Sequence, residues 1–155
     1  MIKALKEIGV RRACKFLVLS ILLVFYRILL FPQLRTLFLR MLGSKIGRNV
    51  IIHDVSFFNF DRKGFSGLVI GNNCFIGDGT LIDLAGSVTL EDHVTLAEKV
   101  TVLTHMNVGY KDHPLREAFP PSVKNIVFRY GSFVGASSTI LCGVTVGERS
   151  FVAAG

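Results

Sequence analysis

A six-residue rhythm of apolar residues constrains this chain more than any other property. Large apolar side chains recur at steps of six in four runs: Ile46 and Ile52, then Ile70, Ile76 and Ile82, then Leu90, Leu96 and Val102, then Phe128, Val134, Ile140, Val146 and Val152. A helix repeats its apolar positions every three or four residues and a strand every two, so neither element explains this period. The rhythm indicates a solenoid whose unit is one short strand plus one turn.

The positions around each apolar residue fit that unit. The next residue is usually small or acidic, and the fourth is small or β-branched: Val50, Cys74, Thr80, Val94, Val100, Ser138, Val144 and Ser150. This pattern resembles the hexapeptide-repeat acyltransferases. The resemblance implies an all-β fold over residues 46–155, a left-handed parallel β-helix in which three hexads make one turn.

Two segments interrupt the rhythm. Residues 57–69 preserve the register, because Ile46 and Ile70 are four hexads apart, so this segment is either a degenerate coil or a loop. Residues 103–127 form a longer insertion, and a loop of that length in a small domain is usually functional.

Residues 1–45 form a separate, basic segment that is predicted to be helical. Residues 1–48 carry ten basic side chains and one acidic one, a net charge of +9, whereas the remainder carries −2. The apolar run from Phe16 to Pro32 is short for the ~20 residues of a membrane span. Arg27 interrupts it and no small-residue cleavage site follows, so we expect the segment to be retained.

Two roles for this segment stay open. Its apolar residues and its lysines and arginines suit the surface of an anionic membrane, which predicts a cytoplasmic protein bound peripherally to the inner face of the cytoplasmic membrane. Alternatively, the helix caps the open end of the β-helix or packs between subunits.

Other classes of function lack support in the sequence. The positive charge belongs to the first 48 residues and no recognition helix or aromatic platform is present, so we expect no nucleic-acid partner. The three cysteines, Cys14, Cys74 and Cys142, are dispersed and odd in number, which gives no disulfide framework and predicts no metal site.

The 103–127 insertion carries the main catalytic candidates. Val102-Leu103-Thr104-His105, followed by a loop and then Phe133-Val134-Gly135-Ala136, resembles sugar O-acetyltransferases of the galactoside and maltose type. In that family a histidine directly after a strand deprotonates the acceptor hydroxyl, and this resemblance makes His105 the candidate general base. Histidine suits the role because its proton exchanges near neutral pH.

His113 is the second candidate. Lys111-Asp112-His113-Pro114 is similar to a stretch of the serine acetyltransferases, but the position of their catalytic histidine matches Ile82-Asp83-Leu84-Ala85 here. His53 and His93 lie within hexads, where turn positions facing solvent explain them, and we assign them no role.

Two carboxylates near the preceding coil, Asp83 and Asp78, are further candidates for the site. Asp83 matches a position where many related sugar acetyltransferases also have aspartate, and we expect it to hydrogen-bond the substrate or the histidine; a turn aspartate bonded to local amides is the alternative. Asp78 is the other candidate for binding the acceptor. Galactoside-type enzymes have an asparagine near this position and this chain does not, which leaves the sugar open.

The resemblance implies acetyl-CoA as the acyl donor, bound between neighbouring β-helices of a homotrimer. Ala136, Ser137 and Ala154 match the positions of small residues that let the cofactor approach the backbone, although the turns of a solenoid have the same composition. Family members continue through a further coil and a basic tail, so we expect the chain to be truncated at its C-terminus.

These residues predict an O-acetyltransferase that acts on a sugar hydroxyl, in surface polysaccharide or lipid-linked glycan biosynthesis. Two alternatives remain: a serine, amine or nucleotide-sugar N-acyltransferase of the same fold, and a β-helix that binds or scaffolds without catalysis.

Overall fold

Parallel strands wind into three faces in a computed structural model that describes residues 9–155. The first face contains β1 (Lys45–Ile46), β4 (Leu68–Ile70), β7 (Val88–Leu90), β12 (Ile126–Phe128) and β15 (Thr145–Val146). The second contains β2 (Ile51–Ile52), β5 (Phe75–Ile76), β8 (Thr95–Leu96), β13 (Phe133–Val134) and β16 (Phe151–Val152). The third contains β3 (Ser56–Phe58), β6 (Leu81–Asp83), β9 (Thr101–Val102) and β14 (Thr139–Ile140). The chain visits the faces in this fixed order and the paired strands are parallel, which fits the predicted parallel β-helix with three strands in a turn.

The apolar residues of the six-residue rhythm form the core of this helix. All of them from Ile52 to Val146 are buried, while Ile46 and Val152 at the two ends are half-buried. In the second face Ile52 stacks on Ile76 and Ile76 on Leu96, each one coil further along. Burying an aliphatic side chain of this size contributes about 1.5–3 kcal/mol, so a continuous stack stabilises every coil. The prediction that the six-residue repeat forms the core of a solenoid is confirmed.

The turns are tight where the repeat is regular. A Cβ atom added to Gly77 would lie 2.7 Å from the backbone nitrogen of Glu98 in the next coil, and one added to Gly135 would lie 2.6 Å from that of Ala154. Real Cβ atoms do not approach backbone this closely. The small residue after the apolar one is therefore required by the contact between coils.

The first interruption is a coil with an enlarged corner. Phe57 pairs with Ile82 and so takes a core position five residues after Ile52, one fewer than the rhythm predicts. The chain then forms a wide turn and a single 3₁₀ turn, Phe65–Gly67, before β4. Between the two predicted alternatives the structure favours the coil.

The second interruption is more ordered than a plain loop. Its base is a two-stranded antiparallel ribbon of β10 (His105–Met106) and β11 (Ser122–Val123), with His105 opposite Val123. Residues 107–121 extend beyond the ribbon, and the rhythm resumes in β12 beside β7.

Two helices precede the β-helix, so the all-β prediction is only approximate. Helix α1 (Val10–Ile28) and helix α2 (Pro32–Met41) are separated at Pro32, whose fixed φ and missing N–H suit the first turn of a helix. Tyr26 and Leu39 are almost fully buried within the common core. The Tyr26 hydroxyl donates to the His53 carbonyl oxygen at 3.4 Å, and its ring meets Phe57 edge to face. These contacts place the helices over the first coil, as the capping alternative predicts.

The opposite side of these helices is apolar and exposed. Its exposed side chains include Leu17, Val18, Ile21, Phe25, Ile28, Leu30, Phe31, Leu34 and Leu37. Among residues 9–155, neither helix is both long and apolar enough to cross a membrane. Residues 1–8, which belong to the predicted basic segment, lie outside the described part of the chain.

Candidate active site

The corner between the third and first faces brings together polar residues from three successive coils. Asn59 follows β3, Asp83 ends β6, and His105 begins the ribbon that follows β9. Because each strand lies directly beside the corresponding strand of the next coil, residues far apart in the chain become neighbours at this corner.

His105 and Asp83 form a close pair. Nδ1 of His105 lies 2.5 Å from Oδ2 of Asp83, the His105 side chain is 25% exposed, and that of Asp83 is fully buried. A carboxylate only accepts hydrogen bonds, so Nδ1 carries the proton in this contact and the neutral ring has its lone pair on Nε2. This is the tautomer that a general base requires.

Asp83 is held by donors on several sides. Its carboxylate accepts from the backbone N–H of Ala85 and of Thr104, each at 3.0 Å, and from Nδ2 of Asn59 at 2.9 Å. Burial raises the pKa of Asp83, but the hydrogen bonds from His105, Asn59, Ala85 and Thr104 together lower it below its usual value. The group is therefore a fixed, ionised acceptor beside His105.

The contacts of Asp83 are with His105 and with backbone and side-chain groups of the protein. Its carboxylate is covered by protein and faces His105, so it does not present itself to an acceptor molecule. In this structure the buried carboxylate, with all these partners, has no free side for a ligand.

Asn59 was missed from the sequence. It adopts a left-handed backbone conformation, with φ of 52°, in the enlarged corner of the first coil. Its Nδ2 also lies 3.4 Å from Nδ1 of His105, but both atoms carry protons, so the hydrogen bond goes to Asp83. The neighbouring Phe58 ring meets the His105 ring edge to face, with centroids 6.1 Å apart. The sequence offered one indication of this residue: it is an asparagine in the 57–69 interruption, across which the six-residue register continues.

His113 lies in the loop beyond the ribbon, and its contacts are local. Its backbone N–H donates to Tyr110 O at 3.1 Å, and its Nδ1 accepts from the backbone N–H of Leu115 at 3.1 Å. Within the described chain no carboxylate orients this ring as Asp83 orients His105.

Asp78 lies apart from this corner. It precedes β6 and Asp83 ends it, so the two carboxylates are at opposite ends of one strand. Asp78 is 63% exposed and its Oδ2 lies 3.4 Å from Nδ1 of His53. His93 is exposed in a turn with φ of 61°, where its ring contacts Tyr130. The structure does not bring any of these groups to His105.

The candidate cofactor residues share another corner, between the second and third faces. Ala136 O accepts from the backbone N–H of Gly155 at 3.0 Å, so Ala136 and Ala154 lie in adjacent coils at the same corner. Ser137 is exposed with φ of 63°. Within one chain, these residues and His105 are at opposite ends of the third face.

The family model of the hexapeptide repeat of succinyl-transferase matches this chain over residues 67–102 and 131–155. The "Putative colanic acid biosynthesis acetyltransferase WcaF" of Escherichia coli (strain K12) is 26% identical over 120 residues, which are 77% of this chain and 61% of the relative. The chain thus spans less than two thirds of the length of the curated relatives it matches.

Two solved structures share the fold. A hexapeptide-repeat-containing acetyltransferase from Vibrio cholerae is 25% identical with a TM-score of 0.71, over 96% of this chain and 78% of that one. A galactoside acetyltransferase in complex with coenzyme A is 22% identical with a TM-score of 0.75, over 96% and 72%. The repeat, the stacked coils and these relatives agree, and the chain is similar in sequence and fold to hexapeptide-repeat acetyltransferases.

Proposed function

We propose that this protein transfers an acetyl group from acetyl-CoA to a hydroxyl group of a sugar, with His105 as general base. The observation that carries the proposal is the His105–Asp83 pair, in which a buried, ionised carboxylate fixes the tautomer of a partly exposed imidazole. The likeness to acetyltransferases, two of them named for a polysaccharide or a galactoside, supports the choice of donor and acceptor.

The reaction needs one proton transfer in each direction. Nε2 of His105 takes the proton of the acceptor hydroxyl as its oxygen attacks the thioester carbonyl, and Asp83 stabilises the imidazolium that results. A backbone N–H near the 103–127 insertion stabilises the tetrahedral oxyanion. Collapse of this intermediate breaks the C–S bond, and the proton on His105 passes to the departing thiolate of coenzyme A.

We propose that the donor site is completed by a second chain. The small residues at Ala136, Ser137 and Ala154 lie at the far end of the third face from His105 within one chain. In a homotrimer of parallel β-helices, the His105 corner of one chain would lie against the Ala136 corner of its neighbour. Acetyl-CoA then lies in the groove between them, along the turns where Gly135 has no room for a side chain.

We propose that α1 and α2 bind the protein to the inner face of the cytoplasmic membrane. Their exposed apolar side chains would enter the interface, while the basic residues of the segment meet anionic headgroups at about 1 kcal/mol each. Sedimentation with vesicles tests this: we expect binding to vesicles containing an anionic lipid and a strong decrease at high salt or with neutral lipid alone.

Thiol release from acetyl-CoA tests the enzymatic proposal. The full chain is mixed with a panel of polysaccharide precursors, and the product is checked for an O-linked acetyl group. We expect His105→Ala to lower kcat by about 10²- to 10⁴-fold, the usual contribution of a general base. His93→Ala, which removes an exposed histidine from a turn between the first and second faces, is the matched control and should retain activity.

The other outcomes separate the alternatives. Loss of activity in His113→Ala with His105→Ala unaffected would move the base to the loop. An N-linked product would identify an amine acceptor, and wild-type protein that releases no thiol with any acceptor would favour a β-helix without catalysis.

A further inference from the structure

A groove between α1 and the first coil opens beside the candidate active site. Its apolar wall consists of Phe16, Leu23, Val24, Phe57, Phe58 and Phe60, and its polar groups are Ser20, Arg27 and Asn59. The groove encloses about 360 Å³, which is within the range of small-molecule sites. Nothing in the proposed acetyl transfer uses it.

The groove is a built feature of the helix packing. Phe16 stacks on Phe60 with ring centroids 5.4 Å apart, and the ion pair between Arg12 and Asp61 fastens the same end of α1 to the enlarged corner. At the other end, buried Tyr26 holds α1 against Phe57. The helix is thus attached at two places, and the groove lies between them.

Two residues belong to both the groove and the active-site corner. Phe58 lines the groove and meets the His105 ring edge to face, with centroids 6.1 Å apart. Asn59 lines the groove and donates to Asp83. One end of the groove therefore adjoins the corner that contains His105.

The side chains of the groove suit a ligand that has a hydrocarbon chain and a negatively charged group. Six apolar side chains favour a hydrocarbon chain, whereas one guanidinium favours a phosphate, which it binds through paired N–H donors. Within residues 9–155 no carboxylate lies within ion-pair distance of Arg27, whose one side-chain hydrogen bond is to the Ser56 hydroxyl at 3.5 Å. The exposed apolar face of α1 continues outward from the same groove.

We infer that the acceptor is a lipid-linked sugar, a sugar joined through phosphate to a long hydrocarbon chain. The hydrocarbon lies against the phenylalanine side chains, the phosphate pairs with Arg27, and the sugar reaches His105 past Phe58 and Asn59. This inference rests on the proposed function and names its class of acceptor.

Binding is tested without any turnover, using dodecyl phosphate below its micelle-forming concentration. The chain contains no tryptophan, so Val24→Trp places a single fluorescent reporter at the groove, and Ile21→Trp places one on the outer face of the same helix. We expect a saturable blue shift for the groove reporter alone. Adding Arg27→Gln should raise the Kd for dodecyl phosphate about 10-fold, as expected for loss of a charged hydrogen bond, and leave that for dodecyl maltoside unchanged.

Two results overturn the inference in this assay. An equal response from both reporters would show adsorption to any apolar surface, and an absent response would show that the groove is closed to such molecules. Because the assay contains no acetyl-CoA, neither result bears on acetyl transfer.

Kinetics then test the link to the active site. A sugar accepted in the thiol assay is compared with its dodecyl phosphate derivative, and the ratio of their kcat/KM values is measured. Ser20→Phe, which fills the groove, should lower the preference for the dodecyl phosphate derivative at least 10-fold. Cys14→Phe places the same side chain at an exposed position on the same helix and should leave that preference unchanged. An unchanged ratio in Ser20→Phe would place the acceptor elsewhere.

Discussion

Two aspartate–histidine pairs lie near opposite ends of strand β6, and they differ in burial and in the distance between their side chains. Asp83 is fully buried with its Oδ2 2.5 Å from His105, whereas Asp78 is 63% exposed with its Oδ2 3.4 Å from His53. The first pair lies at a corner where the repeat is broken on both sides, and the second at a corner of regular turns. In this solenoid, the candidate base and its aspartate lie where the coils depart from the repeat.

The physical reason is room for additional partners. At a regular corner the adjacent coils approach so closely that Gly77 has no space for a methyl group, and polar side chains point outward into solvent. At the broken corner, Asn59 and the backbone N–H of Thr104 come from two other coils and surround Asp83. Water screens the exposed pair, while the buried pair keeps its full directional strength.

The largest expected difference between the pairs is in turnover. Asp83→Asn should lower kcat by about 10²-fold, since the asparagine no longer fixes the productive tautomer and orientation of His105. KM for acetyl-CoA should change little, because Asp83 does not face a ligand. Steady-state thiol release measures both constants.

Asp78→Asn is the matched control for that experiment. It makes the same chemical change at the other end of the same strand and should leave kcat within about twofold, because Asp78 is not paired with His105. A contact between Asp78 and a substrate would change KM instead. Equal losses in the two variants would mean that the buried pair has no special role.

Asp83→Asn should also lower the stability of the fold more than Asp78→Asn does. Asp83→Asn places an amide N–H among the donors that now face a carboxylate, which costs about 1–3 kcal/mol for an unsatisfied buried polar group. Asp78→Asn should change the free energy of unfolding by less than about 0.5 kcal/mol, as surface substitutions usually do. Urea denaturation at pH 7 measures both.

The contribution of Asp83 should also depend on pH. Its pKa is lowered in the folded protein, so its ionised form stabilises the fold at every pH above the unfolded value of about 3.9. As the pH falls through the lowered pKa, this stabilisation is lost. The difference between wild type and Asp83→Asn should therefore be constant from pH 7 to about 4 and decrease below that. A constant difference down to pH 2 would contradict the assignment.

The sequence predicted the regular part of the molecule well for a simple reason. Each hexad places one side chain in the core, so Ile76 or Leu96 specifies its own position without knowledge of the rest. His105 and Asp83 were identified by the resemblance to sugar O-acetyltransferases, and both lie at or just after the end of such a strand. Asn59 could not be found in this way, since its place beside Asp83 depends on Phe57 entering the core one residue early. Nor could Asp78 and Asp83 be told apart, because burial depends on neighbouring coils.

Asn59 offers a smaller test of the buried pair. Its amide donates to Asp83, but its backbone is also left-handed, so a plain truncation would combine two effects. Asn59→Gly removes the amide and tolerates the backbone conformation, whereas Asn59→Ala also adds strain. We expect Asn59→Gly to lower kcat by about 5- to 10-fold, the equivalent of a hydrogen bond of about 1–1.5 kcal/mol. If Asn59→Gly has wild-type kcat while Asn59→Ala does not, the backbone and not the amide is what matters.

The smallest effect is expected from the exposed pair itself. A double-mutant cycle with His53→Ala and Asp78→Ala isolates the energy of that contact, and exposed ion pairs give about 0–1 kcal/mol in such cycles. His53 Nδ1 is 3.4 Å from Asp78, and the carboxylate also accepts from the backbone N–H of Asp54 at 2.9 Å. The backbone hydrogen bond does not depend on the histidine, so Asp78 should keep most of its contribution to the stability of the turn in His53→Ala. A coupling energy above about 2 kcal/mol would exceed that of an exposed pair and would show that a regular corner holds an aspartate–histidine pair as firmly as the broken one.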